Sequence, residues 1–139
     1  MSINIESGKE EKIEMQGTEK FTGKVAFVTG ASKGIGKATA RRLAQEGCSV
    51  AITARGDELL QRTADELSAE TGNEVRPLQG DMSVVEDVER TVSGAIERFG
   101  RIDILVTCAG SSPGGLLENL TEDDWFSSLN LKFMGYVRT

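Results

Sequence analysis

Apolar and polar positions along this chain alternate between two periods, and the alternation itself predicts a fold class. Short apolar runs at Val25–Val28, Ser49–Ala54, Glu74–Leu78 and Ile102–Thr107 have the length and β-branched content of strands. Between them lie longer stretches with helical spacing. An Ala-rich stretch runs from Ile35 to Glu46, and Asp57 to Glu70 places Leu60, Ala64 and Leu67 on one face. Val84 to Phe99 carries apolar residues at 85, 88, 92, 95, 96 and 99, a stripe wide enough to pack on a sheet. Strand and helix alternating in this way predict a doubly wound parallel α/β sheet with right-handed crossovers and helices on both faces. Gly47 and Thr71-Gly72-Asn73 read as turns. Pro77 puts the third strand at or near the sheet edge, whereas the unbroken fourth strand suits cover on both faces. After a loop from Ser111 to Asn119, Thr121 reads as the N-cap of a last helix, with Asp124 at the capping-box position, running to Thr139.

Residues 1–20 break the pattern, being polar and charged, with only Ile3, Ile5, Ile13 and Met15 apolar after the initial Met1. They are expected to form a flexible tail, leaving residues 21–139 as one domain. The whole chain of 139 residues has a net charge of -6, which argues against a nucleic-acid partner. Cys48 and Cys108 sit beside apolar runs rather than at metal spacing, and with no histidine in the chain no metal site is expected. A reduced, cytoplasmic protein is the simpler reading. No apolar run approaches the roughly 20 residues of a membrane helix, and the N-terminus has no apolar signal core, so no membrane partner is expected.

The chemistry begins where the first strand meets the first helix, at Thr29-Gly30-Ala31-Ser32-Lys33-Gly34-Ile35-Gly36. Glycines at 30, 34 and 36 suit a sharp turn, a close approach to a ligand and tight packing of helix on strand, and the N–H groups at the helix start favour a diphosphate. A P-loop would need glycine at Ala31 and a hydroxyl at Ala38, so a nucleotide triphosphatase is excluded. The bland alternative is an ordinary strand-to-helix turn. The spacing resembles the T-G-x-x-x-G-x-G signature of the short-chain dehydrogenases/reductases, and the resemblance extends from about Phe21 to the last residue. It implies a Rossmann-type dinucleotide-binding domain, the N-terminal half of a protein of the 3-oxoacyl-carrier-protein-reductase type, ending after the fourth strand and its following helix. Gly30, Ser32, Lys33, Gly34, Ile35 and Gly36 would then contact the cofactor.

Three further places bear on that cofactor. An acid at the end of the second strand binds the ribose 2′-hydroxyl of NAD, whereas this chain has Ala54-Arg55, and Lys33 is positioned to share a 2′-phosphate, which favours NADP over NAD. Solvated surface charges are the alternative, with Asp57 as a hydroxyl acceptor. Asp81-Met82 follows the third strand; the resemblance implies adenine contacts there, while Asp81 or Ser83 would equally serve as a helix N-cap. Cys108-Ala109-Gly110 resembles the end of the family's N-N-A-G motif, whose small residues admit backbone contact with the nicotinamide-side ribose. Thr107-Cys108 departs from that motif, with the Thr107 hydroxyl expected to take over part of its strand-bridging hydrogen bonding. Cys108 has no histidine to activate it as a nucleophile.

By the resemblance, Asn130 is the helix asparagine of a proton relay with serine, tyrosine and lysine. Tyr136 reads as packing, Ser111 and Ser112 as loop residues, and no Tyr-x-x-x-Lys occurs in the chain. The resemblance thus implies an NADP(H)-dependent oxidoreductase moving hydride between nicotinamide and a small-molecule carbonyl or secondary alcohol, as a homo-oligomer in full-length form. The alternative is a non-catalytic dinucleotide-binding module. The 139-residue chain alone is expected to lack activity and to self-associate.

Overall fold

The computed structural model describes residues 20–139, so all of the expected tail except Lys20 lies outside the described residues. The chain runs β1 (Val25–Thr29), α1 (Gly34–Gln45), β2 (Ser49–Ala54), α2 (Asp57–Thr71), β3 (Val75–Gln79), α3 (Val85–Phe99) and β4 (Ile104–Thr107). A 3-10 turn (Leu117–Asn119), α4 (Glu122–Leu129), a π-helical segment (Asn130–Met134) and α5 (Gly135–Arg138) complete it. The strands form one parallel sheet in the order β3-β2-β1-β4, with Phe27 level with Ala51 on one side and with Leu105 on the other. Every residue of β1 is buried because β1 is flanked by strands on both sides and covered by helices on both faces.

Alternation along the strands sorts the core into two layers. Val28 and Ile52 point towards α1 and α2, where they pack with Ala40, Leu60 and Leu67. Phe27 and Ala51 point the other way, onto Ala95 of α3. Leu60 and Leu67 are fully buried, each contributing about 2 kcal/mol by area. β3 takes the edge, as Pro77 requires.

Two expectations about the C-terminal part need correction. β4 starts at Ile104, because the Asp103 carboxylate turns back to accept the Val25 N–H at 3.0 Å and the Asp103 N–H donates to the Val25 carbonyl. Among the described residues it pairs only with β1, and Leu105 stays 45% exposed, so the strand is not covered on both faces. The last helix is not one α-helix. Its start is as expected, with the Thr121 hydroxyl accepting from the Asp124 N–H at 3.2 Å and the Thr121 N–H donating to Asp124 Oδ2 at 2.9 Å. It then widens to a π turn at Asn130–Met134. Beyond the bulge Gly135 is buried so closely on α3's approach that a Cβ there would lie 2.8 Å from the Met82 carbonyl oxygen. No helix among the described residues is long and apolar enough to cross a membrane.

Candidate functional site

The carboxyl ends of β1, β2 and β4 open onto a groove of about 370 Å³, at the point where chain connections depart to either side of β1. The glycine turn forms its floor. A Cβ on Gly30 would lie 2.7 Å from both Cα and N of Ala109, so this turn lies directly against the end of β4. A Cβ on Gly36 would come within 2.4 Å of the Gly30 carbonyl oxygen, so α1 sits down on the turn itself. Gly34 is different: its surroundings are open, and its φ of +58° is what calls for glycine. Gly30, Ser32 and Lys33 line the groove, whereas Gly34, Ile35 and Gly36 shape the turn behind it, with Ile35 79% exposed. The turn is anchored on both flanks, by the Ala31 N–H donating to the Thr53 carbonyl and by the Thr63 hydroxyl donating to the Ser32 carbonyl at 3.0 Å.

α1 is also electrostatically distinct. Its N-cap, Lys33, offers no side-chain acceptor and its first turn contains no acid, whereas α2 starts with Asp57 and Glu58 and α3 with Glu86 and Asp87. The N–H groups of α1's first turn and the positive end of its dipole are thus left for an external anion. Lys33 and Arg55, both exposed, line the same groove, and among the described residues no ion pair is recorded for either side chain. Asp57 is not part of the lining.

Asp81 lies in the turn between β3 and α3. Its Oδ1 accepts from the Ser83 N–H at 2.9 Å and the Ser83 hydroxyl at 2.7 Å, forming a turn into α3, yet the residue also lines the groove beside buried Met82. The N-cap position itself falls to Val84. Asp87 reaches back to accept the Asp81 N–H at 2.8 Å, and that bond first, Arg90 second, holds the Asp87 carboxyl below its ordinary range.

At the end of β4, Cys108, Ala109 and Gly110 form the opposite wall. The bridging role expected of Thr107 belongs to Thr29, whose hydroxyl accepts from the Cys108 N–H at 3.1 Å and the Ala109 N–H at 3.0 Å. The Cys108 thiol is half-buried, while Cys48 is fully buried and its thiol is pushed up first by burial and then by Asp103.

The matching family model, described as short chain dehydrogenase, covers residues 24–139. The chain belongs to the short-chain dehydrogenase family. It is 39% identical over 114 residues to the short-chain reductase protein NovJ of Streptomyces niveus, covering 82% of this chain and 43% of that protein. Against glucose 1-dehydrogenase of Gluconobacter oxydans it is 38% identical over 119 residues, covering 86% of this chain and 45% of the relative. Among solved structures, L-sorbose reductase of Gluconobacter frateurii, complexed with NADPH and L-sorbose, superposes with a TM-score of 0.82 at 32% identity, over 86% of this chain and 46% of that one. A short-chain dehydrogenase of Burkholderia cenocepacia in complex with NADP gives a TM-score of 0.80 at 38% identity, over 86% and 49%. The chain therefore spans less than half the length of these relatives.

In this short-chain dehydrogenase chain the helix after β4 places Asn130 behind the groove wall. Asn130 Nδ2 donates to the Ser83 carbonyl at 3.1 Å, and its Oδ1 accepts from Arg138 Nη1 at 2.9 Å; Arg138 also donates to the Ser83 carbonyl. The next residue, Leu131, lines the groove, as does Leu59 of α2, and sequence reasoning singled out neither. Tyr136, expected only to pack, donates its hydroxyl to the Ala109 carbonyl at 3.2 Å. No local pattern in the sequence points to this contact, because its partner lies 27 positions away. Among the described residues no cluster of three or more His, Cys, Asp and Glu side chains suitable for a metal occurs.

Proposed function

We propose that this chain forms the dinucleotide-binding part of an NADP(H)-dependent oxidoreductase acting on a carbonyl or secondary alcohol. The observation that carries it is the uncapped start of α1 opening onto a groove that holds Lys33 and Arg55, with no acid at the end of β2. The cradle fits a dinucleotide, since Gly30 and Gly36 leave no room for side chains and bring backbone to backbone around the turn. The N–H groups of α1's first turn, with Gly34 and Ile35 at its start, hold the diphosphate. Lys33 and Arg55 hold the 2′-phosphate, an assignment in keeping with relatives crystallised with NADPH or NADP. Asp81, Met82 and the backbone of Cys108, Ala109 and Gly110 face the nucleosides. When bound, the nicotinamide supplies or accepts the hydride. Asn130 takes the relay asparagine's place, with its side chain oriented by Ser83 and Arg138. The whole protein is cytoplasmic and homo-oligomeric in this reading.

A non-catalytic dinucleotide-binding module is the second reading, since the groove is built for binding and Asn130 is held by Ser83 and Arg138 rather than by a group that takes or gives a proton. NADPH and NADH titrations by fluorescence, on wild type and Arg55→Asp, test the binding. A charge-assisted contact is worth about 1.5–3 kcal/mol, so NADPH should bind more tightly and the variant should lose that preference. Equal affinities in wild type would remove NADP from the assignment, and an NADPH oxidation assay with carbonyl substrates separates enzyme from module.

A further inference from the structure

The π-helical segment brings one more cation up to Gly110 at the groove wall, although Lys132 itself is not among the residues that line the groove. The stem of Lys132 lies across Gly110: a Cβ built on that glycine would sit 3.1 Å from Lys132 Cε, 3.6 Å from Cγ and 3.9 Å from Cδ. The ammonium, one bond beyond Cε, therefore emerges beside Gly110, which lines the groove. One turn further on, the Tyr136 hydroxyl donates to the Ala109 carbonyl, so two side chains of one helix face grip consecutive residues of the groove wall. Asn130, on a different face, is occupied by Ser83 and Arg138.

The pairing of charges sharpens this picture. Lys24, Lys37, Arg41, Arg42, Arg90, Arg98 and Arg101 all have carboxylate partners. Lys132, Lys33 and Arg55 have no ion pair among the described residues, and neither do Lys20, Arg62, Arg76 and Arg138; what sets the first three apart is their place at or beside the groove. Cations left uncompensated around one concave surface of an otherwise acidic chain raise its affinity for anions.

We propose that Lys132 is a third cationic contact for the bound dinucleotide, holding its ribose-phosphate at the Gly110 end of the groove while Tyr136 fixes the wall on which that contact depends. This rests on the dinucleotide reading of the groove. The π turn matters to the arrangement, because it advances the helix by a residue between Asn130 and Gly135 and so allows Gly135 to seat on Met82 while Lys132 reaches Gly110.

The test is NADPH affinity of the encoded chain at low and high salt for wild type, Lys132→Met, Lys132→Arg and, as a distant exposed cation, Arg62→Met. Methionine keeps the stem over Gly110 and removes the charge. Lys132→Met should weaken binding about tenfold at low salt and flatten the salt dependence. Arginine should restore affinity to within about threefold, and Arg62→Met should match wild type. A Lys132→Met protein with wild-type affinity and salt slope overturns the role of Lys132, and so does an equal loss in Arg62→Met, which would reduce the effect to general charge. A wild-type chain that binds no NADPH overturns the dinucleotide reading itself.

Discussion

The Thr29 hydroxyl and the Cys108 N–H, 79 positions apart in sequence, meet at 3.1 Å, and the same oxygen also accepts from Ala109. One buried hydroxyl thus joins the start of the glycine turn to the opposite wall of the groove. Thr29→Val keeps the shape and removes the acceptor, leaving two N–H groups short of a partner. The expected loss is about 1–3 kcal/mol of stability, read as a lower urea midpoint at unchanged slope, with weaker NADPH binding alongside. A loss in stability with cofactor affinity intact would separate the two walls functionally.

Glycine substitutions in the turn should divide by mechanism. Gly34 has open surroundings but a φ of +58°, so Gly34→Val should cost about 1–3 kcal/mol of backbone strain and abolish cofactor binding by reshaping the start of α1. Gly30→Ala faces a 2.7 Å approach to the Ala109 backbone and should destabilise more, as a larger drop in melting temperature. If Gly34→Val bound NADPH normally, the diphosphate would have to lie elsewhere.

Acid should loosen the β1–β4 junction. The Asp103 carboxyl is held below its ordinary value first by the Val25 N–H; burial opposes this, and Arg101 and then Lys24 add to the lowering. A carboxylate depressed in the folded state contributes stability that is fully present above its unfolded value, near 3.9, and is lost as pH falls through the folded one. Denaturant midpoints measured from neutral pH down to about 3 should decline in wild type, and the decline should be shallower in Asp103→Asn. Identical profiles would show that this contact persists after protonation.

Self-association is expected of the 139-residue chain on its own. Among the described residues β4 has an unpaired edge with Leu105 45% exposed, and Trp125, Leu129 and Phe133 are 50%, 53% and 62% exposed along the last helix. Light scattering should show species larger than a monomer, and no carbonyl reductase activity should be measurable. A monodisperse, active monomer would contradict both expectations.

What could be read from the chain alone were the features that neighbouring residues decide. The short apolar runs at Val25–Thr29 and Ser49–Ala54, the helical stripe of α3 and the Thr121–Asp124 capping box depend on residues within one element, and they appear within one or two residues of the expected places. Pro77 at the edge followed from a missing N–H, and the glycine turn from backbone geometry. The remaining features depend on residues far apart in sequence. The π turn arises where Gly135 meets Met82 and where Asn130 and Arg138 meet Ser83. β4 begins late because Asp103 turns to Val25, and Thr29, rather than Thr107, bridges to Cys108. The Lys132 stem reaches Gly110 only because the sheet and the last helix converge there. Periodicity encodes which face of an element is apolar; which partner meets that face, and which hydroxyl or ammonium ends at the groove, is set by the packing of elements that the chain brings together only on folding.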